Sequence, residues 1–159
     1  ISERKRWIVM KLVSHSENET KEIAKKIAKE LKNGDVIILS GDLGSGKTKF
    51  TEGFLSYYGL ENEISSPTFT IVNEYKKGDI NIYHFDVYRI EELDEFYAIG
   101  GEEYFSKGIC VIEWGEIIEQ IVPKEHIKIT FERNFENENV RTLNIEAYGK
   151  KYEEIISKL

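Results

Sequence analysis

The stretch Gly41-Asp42-Leu43-Gly44-Ser45-Gly46-Lys47-Thr48 decides the fold of this chain. It matches the pattern G-x-x-x-x-G-K-[ST] at every fixed position, between an apolar run at residues 36–39 and a helical segment that begins at Lys47. In such a strand–loop–helix unit, backbone N–H groups of the glycine-rich turn and the helix N-terminus surround phosphate groups. The Lys side chain reaches the outer phosphates, and the Thr hydroxyl reaches a Mg²⁺ ion. We therefore predict that this phosphate loop, together with the next residue, Lys49, binds a nucleoside triphosphate.

Length and composition predict one soluble α/β domain over residues 1–159. The chain has 159 residues, of which 40% are hydrophobic and 32% charged, which is ordinary for a globular protein. No apolar run approaches the roughly 20 residues needed to span a bilayer, so we expect no membrane partner and a cytoplasmic location. The chain begins with Ile1 rather than Met. Met10 is therefore a candidate start, and residues 1–9 a candidate extraneous extension.

Charge argues against a protein that binds nucleic acid by itself, and cysteine content excludes one held together by intramolecular disulfides. The formal net charge is −7, which argues against the chain binding nucleic acid by itself. The only cysteine, Cys110, excludes an intramolecular disulfide framework. Because Cys110 lies in an apolar run at residues 109–112, we interpret it as a buried strand thiol rather than a nucleophile.

Apolar periodicity predicts helices interleaved with buried strands, hence a mixed sheet with a parallel centre and antiparallel hairpin additions. Nucleotide is expected at the carboxyl ends of the parallel strands. The predicted strands are residues 11–14, 36–39, 68–75, 81–85, 108–113, 126–133 and 140–148. The predicted helices are residues 16–31 with a Ser16 or Asn18 cap and a Gly34 stop, 47–58 closed by Gly59, 91–105 interrupted at Gly100-Gly101, 116–121 stopped by Pro123, and 150–159.

Two carboxylates end apolar strands in positions that suit phosphate chemistry. Asp86 follows residues 82–85, and Glu113 follows residues 109–112. Nucleotide hydrolysis or phosphoryl transfer needs a carboxylate for the metal and a group that orients the nucleophile. Asp86 and Glu113 are the candidates for these two tasks, and spacing alone does not say which of them touches the metal.

Other polar and aromatic residues near these motifs have more than one interpretation each. Ser66-Pro67-Thr68 either carries hydroxyls that sense the γ-phosphate or forms a plain turn. Arg89 either contacts phosphate or pairs locally, and Trp114 either stacks on a base, closes a pocket or packs. His84 is a candidate general base, but we favour a strand residue that faces a polar neighbour.

Five motifs in order make the chain resemble the bacterial TsaE (YjeE) family. They are the phosphate loop, Ser66-Pro67-Thr68-Phe69-Thr70, Tyr83-His84-Phe85-Asp86-Val87-Tyr88-Arg89, Glu103-Tyr104-Phe105 and Cys110-Val111-Ile112-Glu113-Trp114. The resemblance implies a small phosphate-loop ATPase that binds ATP with Mg²⁺ and hydrolyses it weakly alone. It also implies a partnership with the TsaB–TsaD heterodimer, which transfers threonylcarbamoyl to adenosine 37 of tRNAs reading ANN codons. The tRNA would be reached only indirectly, through that complex.

The resemblance also assigns roles to single residues. It implies that Lys47 grips phosphate, that Thr48 and Glu113 are associated with Mg²⁺, and that Asp86 orients or activates water. It makes residues 66–68 a switch-like segment. It places Glu17 near the nucleotide and Arg141 near the adenine side. Gly115 departs from the residues that relatives often carry after the Glu-Trp pair.

The alternative from another enzyme class is a small-molecule or nucleotide kinase. Such kinases usually carry an arginine-rich lid over two phosphorylated ligands. The five arginines of this chain, at positions 4, 6, 89, 133 and 141, are scattered and do not supply one. A GTP-binding switch is disfavoured because the chain has no Asn-Lys-x-Asp segment to recognise guanine. The intact phosphate loop and the two carboxylates also disfavour a pure binding subunit.

Overall fold

The structure is a computed structural model that describes residues 7–41, 46–63, 72–87, 92–113 and 118–159. Its strands are β1 (Trp7–Ser14), β2 (Val36–Gly41), β3 (Val72–Lys77), β4 (Ile80–Asp86), β5 (Ile109–Glu113), β6 (His126–Arg133) and β7 (Arg141–Tyr148). Its α-helices are α1 (Glu17–Glu30), α2 (Lys47–Tyr57), α3 (Leu93–Ala98), α4 (Tyr104–Lys107) and α5 (Lys150–Ser157).

One seven-stranded mixed sheet has the order β1-β7-β6-β2-β5-β4-β3. Its centre is parallel, because β6 and β5 both pair in parallel with β2, and β4 pairs in parallel with β5. The β3–β4 and β6–β7 hairpins and the β1–β7 pair are antiparallel. This arrangement confirms the predicted α/β fold with a parallel centre and hairpin additions.

The central strands are apolar because helices or loops cover both faces of the sheet. Ile37 and Leu39 of β2 face a core shared with α1, α2 and α5. Val36 and Ile38 face a second core, on the other side of the sheet, with residues of α3 and of the segment around Ile118. Alternating side chains along one strand therefore serve two cores, which explains why β2 is a continuous apolar run.

Helix α1 begins at a capped end and packs very closely on α2. The Ser16 hydroxyl oxygen accepts a hydrogen bond from the Glu19 backbone N–H at 3.0 Å, which is the predicted N-cap. Further along, a Cβ atom built on Gly53 of α2 would lie 2.5 Å from the Lys21 Cα of α1. Only glycine at position 53 therefore lets the two helix backbones approach this closely.

A buried carboxylate anchors α5 to the start of β2. Asp35, which is 4% exposed, accepts hydrogen bonds from the Tyr152 hydroxyl at 2.6 Å, the Lys151 ammonium at 2.7 Å and the Lys32 backbone N–H at 2.7 Å. Burial, followed by this hydrogen bond to Asp35, raises the pKa of the Tyr152 hydroxyl. The carboxylate thus ties a helix near residue 150 to the strand that leads into the phosphate loop.

The structure corrects several predicted bounds. Strand β1 begins at Trp7 rather than at residue 11, because all eight of its residues pair with β7. Helix α1 ends at Glu30 with Leu31 as its C-cap, so Gly34 belongs to the following turn, at φ +102°, rather than to the cap. The region predicted as one interrupted helix holds two short helices, α3 and α4, joined through a 3-10 turn at Gly101–Glu103.

Two predicted elements fall partly outside the described residues. The helix predicted at residues 116–121 is a turn in its described part, where the Val122 N–H donates to the Ile118 carbonyl at 3.1 Å. The first four residues of the strand predicted at 68–75 lie outside the described ranges, and β3 is described from Val72.

Cys110 is the buried strand thiol that the sequence predicts. It lies in β5 with no exposed surface, and burial raises the pKa of its thiol to about 12. The thiol therefore stays protonated at neutral pH, and the protonated form is a poor nucleophile.

In the part of the chain that the structure describes, no helix is long and apolar enough to cross a membrane.

We predict that Gly53→Ala destabilises the protein, although alanine favours a helix over glycine by about 1 kcal/mol. The new methyl group meets the α1 backbone, which cannot rotate away, and overpacking of this kind costs about 1–3 kcal/mol. Urea unfolding measures the difference.

Lys26→Ala, at an exposed position of α1, is the control, and we expect its unfolding free energy to change by less than about 0.5 kcal/mol. A Gly53→Ala variant more stable than the wild type would contradict the close contact between α1 and α2.

Candidate functional site

Three neighbouring strands end together at one edge of the sheet. Strand β2 ends at Gly41, β5 at Glu113 and β4 at Asp86. Asp86 and Glu113 are direct register partners, and the Val87 N–H donates to the Glu113 carbonyl at 3.1 Å just past the end of β4. Both predicted carboxylates therefore lie side by side at the carboxyl ends of parallel strands, where open α/β sheets bind ligands.

Glycine is favoured at both described ends of the phosphate loop. Gly41 has φ +127° and Gly46 has φ +112°. Residues that carry a Cβ atom rarely adopt these backbone angles. Gly46 is also the N-cap of α2. The residues between them, Asp42, Leu43, Gly44 and Ser45, lie outside the described ranges.

Lys47 is buried and turned back toward the end of β2. It is 5% exposed, and its ammonium donates a hydrogen bond to the Gly41 carbonyl at 2.6 Å. The side chain thus spans from the first turn of α2 to the strand that precedes the loop. This contact holds a compact positive charge at the mouth of the loop, where the sequence predicts outer phosphate groups.

The first turn of α2 adds two features of an anion site. The first N–H groups of a helix have no acceptor within the helix, and they give its N-terminus a partial positive charge. Thr48 is exposed at the second position of α2 and is therefore not part of the core. The helix therefore presents backbone donors and a hydroxyl oxygen beside the loop.

Glu17 lies next to this turn. It is the first residue of α1, and its carboxylate is 4.0 Å from the Lys49 ammonium in α2. The Glu17 side chain is 71% exposed, so the pair is a surface contact worth little to stability. Its significance is position, because it brings both residues to the rim of the site.

Arg141 reaches the loop from the other side, at the start of β7. A Cβ atom built on Gly46 would lie 3.6 Å from the Arg141 Cγ. The Arg141 guanidinium donates to the carbonyls of Val140, at 2.9 Å, and of Glu138. Arg141 also lines a cleft of about 360 Å³, together with Arg133, Asn134, Phe135 and Glu138.

Phe135 is a residue of this cleft that the sequence analysis missed. Its ring is 91% exposed at the tip of the β6–β7 hairpin, and the Arg133 guanidinium carbon lies 5.9 Å from the ring centroid. An aromatic residue within the polar turn at residues 134–139 was the available signal. An exposed ring and two guanidinium groups beside a phosphate loop offer a planar base a place to stack.

His84 pairs with Glu113 inside the site. The His84 Nε2 atom is hydrogen-bonded to the Glu113 Oε2 atom, and the two side chains are 5% and 11% exposed. This contact confirms the interpretation of His84 as a strand residue that faces a polar neighbour.

The remaining predicted site residues lie outside the described ranges: Ser66, Pro67, Thr68, Arg89 and Trp114. Among the residues that the structure describes, no group of three or more His, Cys, Asp or Glu side chains could hold a metal by itself. Mg²⁺ does not need such a cage, since it keeps several waters and binds through one or two carboxylates plus substrate phosphates. The hydroxyl of Thr48 and the carboxylates of Asp86 and Glu113 supply oxygen ligands of the kind that this mode of Mg²⁺ binding uses.

Comparisons with known proteins agree on one family. Residues 14–143 match the family model described as threonylcarbamoyl adenosine biosynthesis protein TsaE. A Bacillus subtilis relative named tRNA threonylcarbamoyladenosine biosynthesis protein TsaE is 44% identical over 89% of this chain and 87% of its own length. A Rickettsia conorii relative of the same name is 41% identical over 74% of this chain and 68% of its own length. The crystal structure of Bacillus subtilis YdiB superposes with a TM-score of 0.75 at 36% identity, over 98% of this chain and 96% of that one.

Proposed function

This chain belongs to the TsaE family, and we propose that it is a Mg²⁺-dependent ATPase that serves the threonylcarbamoylation of adenosine 37 in tRNAs reading ANN codons. One observation carries the proposal. The Lys47 ammonium, the Asp86 carboxylate and the Glu113 carboxylate belong to elements that meet at one edge of the sheet. A phosphate grip and two carboxylates at the same edge are the parts that nucleotide hydrolysis needs.

ATP binding rests on the phosphate loop and the residues around it. Lys47 and the N-terminus of α2 would hold the β- and γ-phosphates, and their positive charge favours a trianionic group there. Glu17 and Lys49 would lie at the rim. The cleft beside Arg141 would receive the adenine, since it adjoins the loop at Gly46.

Thr48 and Glu113 would hold the Mg²⁺ ion, which when bound neutralises negative charge on the phosphate oxygens. Asp86 would accept a hydrogen bond from the attacking water and so orient it. The water oxygen forms a bond to the γ-phosphorus while the bond to the bridging oxygen of ADP breaks, giving ADP and inorganic phosphate. Asp86 is half-buried beside Glu113, a position consistent with this task.

The partner would be the TsaB–TsaD heterodimer, with tRNA reached through that complex. The net charge of −7 supports this division of labour, because an acidic chain is poorly suited to hold tRNA directly. A cytoplasmic location follows from the same proposal. Family membership favours this function over the kinase alternative, for which no described feature supplies a lid.

We predict that Lys47→Ala weakens ATP binding by more than about tenfold and abolishes turnover, since a loss of 1.4 kcal/mol in binding is already tenfold. Isothermal titration with Mg·ATP measures the affinity. Lys25→Ala, which removes an exposed lysine from α1, is the charge-matched control and should bind like the wild type. Equal affinity in Lys47→Ala and the wild type would remove the loop from the proposal.

We predict that Asp86→Asn impairs ATP hydrolysis, whereas Glu113→Gln impairs the binding of Mg²⁺ with ATP. Asp86→Asn should bind Mg·ATP normally and lose turnover by about 10²–10⁴-fold, the usual contribution of a positioned acid–base group. Glu113→Gln should instead raise the Mg²⁺ concentration needed for half-maximal ATP binding. Mg²⁺ titrations at fixed ATP compare the two. If Asp86→Asn loses ATP binding and turnover alike, Asp86 holds the metal instead.

The partner proposal is tested by pull-down of purified TsaB–TsaD with the tagged chain, with and without ATP. We expect the wild type to retain the heterodimer in a nucleotide-dependent manner and Lys47→Ala to lose that dependence. No association in either condition, with ATP turnover intact, would refute the partner assignment and leave an ATPase.

A further inference from the structure

The buried His84–Glu113 pair lies at the border between the apolar core and the site. Side chains two residues apart in a strand share a face, so Ile82, His84 and Asp86 of β4 point to one side of the sheet. Their register partners Val111 and Glu113 of β5 point to the same side. Ile82 and Val111 belong to the core under α1 and α2. His84 is therefore the first polar side chain of β4 between that core and the site.

We assign the shared hydrogen to the ring nitrogen that faces the carboxylate. An ionised carboxylate only accepts hydrogen bonds, so in this assignment Nε2 of His84 donates to Oε2 of Glu113. The other ring nitrogen, Nδ1, is buried and has no hydrogen-bond partner among the described residues. Among the described residues, the His84 ring therefore makes its hydrogen bond to Glu113.

We propose that His84 is the positioning residue of the site, which holds the Glu113 carboxylate through Oε2 and leaves Oε1 as the oxygen for the metal or a metal-bound water. The proposal rests on the proposed function, because it concerns how Glu113 serves a nucleotide-bound cation. The histidine ring is itself fixed by burial, at 4% exposed, so it restricts a carboxylate that otherwise rotates. Hydrogen-bond partners of metal ligands typically change metal affinity or activity by about 10–100-fold when they are removed.

A purely structural role is the competing explanation, because a buried carboxylate that loses its partner is destabilised whether or not it binds metal. The two roles predict that different substitutions at position 84 keep the metal site intact. A structural role requires only a side chain that fills the space, whereas a positioning role requires an N–H donor at the place of Nε2. His84→Leu fills much of the space without a donor, and His84→Gln supplies an amide N–H near that place.

His126 offers a matched control. It is 6% exposed, and its Nδ1 atom is hydrogen-bonded to the Pro123 carbonyl at 2.8 Å. Because it begins β6, which runs parallel to β2, it lies at the opposite edge of the sheet from the carboxyl ends. His126→Leu therefore removes an equally buried histidine far from Glu113.

The experiment measures the Mn²⁺ affinity of the protein–ADP complex by electron paramagnetic resonance, with metal-free ADP affinity and thermal stability recorded in parallel. We expect His84→Leu to weaken Mn²⁺ binding by about 10–100-fold, with metal-free ADP affinity unchanged. His84→Gln should recover most of the loss. His126→Leu should lower stability but keep the wild-type Mn²⁺ affinity.

Other outcomes overturn the inference in distinguishable ways. Wild-type Mn²⁺ affinity in His84→Leu refutes the positioning role but leaves the ATPase proposal intact. An equal loss of Mn²⁺ affinity in His84→Leu, His84→Gln and His126→Leu identifies a general effect of instability, which also refutes it. Absence of any Mn²⁺ or ADP binding by the wild-type chain instead refutes the proposed function.

A measurement on the wild-type chain covers the case in which His84→Leu does not fold. The sequence has three histidines, so ¹⁵N spectra of the imidazoles are resolvable. We expect His84 to carry its hydrogen on Nε2 and to respond when Mg²⁺ is added to the ADP complex, while His126 does not respond. A His84 protonated on Nδ1 alone, or a His84 resonance indifferent to Mg²⁺, would overturn the proposal.

Discussion

The parallel register of β4, β5 and β2 is the constraint on which the rest of the site depends. Parallel pairing brings strand ends to the same edge, and the pairing of Asp86 with Glu113 places two negative side chains together there. Two neighbouring carboxylates repel each other and are stable as a pair only beside compensating positive charge or hydrogen-bond donors. The His84 ring, the Lys47 ammonium and the α2 N-terminus belong to this edge, and they give the acidic strand ends a setting suited to a cationic or phosphate-bearing ligand.

The position of α2 links this edge to the core. Its first turn belongs to the phosphate loop, and its middle packs against α1 at a distance that only Gly53 permits. A change in helix packing would therefore move Lys47 and Thr48 relative to the strand ends. The close contact of Gly53 with α1, about two turns further along α2, therefore helps to set the positions of Lys47 and Thr48.

Local signals in the sequence predicted much of the fold. The glycine pattern of the phosphate loop, the Ser16 cap and the alternation in β6 and β7 act within a few residues, so they can be read from the chain directly. The missed features are products of distant contacts. The full length of β1 depends on pairing with β7, whose partner residues for the four missed positions, Trp7 to Met10, lie at Ile145 to Tyr148, far along the sequence. His84 and Glu113 are 29 residues apart, and neither residue alone indicates that the other will be its partner. Likewise, no periodicity indicates that Phe135 would border a cleft with Arg141.

The anchoring of α5 on Asp35 has a consequence for the order in which the protein matures during synthesis. The carboxylate stands directly before the strand that carries the phosphate loop, while the Lys151 ammonium that binds it is 116 residues downstream. Until the ribosome has released that distant helix, a nascent chain that folded its central sheet would bury an acidic group without its cation and its phenol donor. A translation product truncated before α5 would therefore carry the phosphate loop without the hydrogen bonds from Lys151 and Tyr152 that hold the Asp35 carboxylate at the start of the strand leading into it.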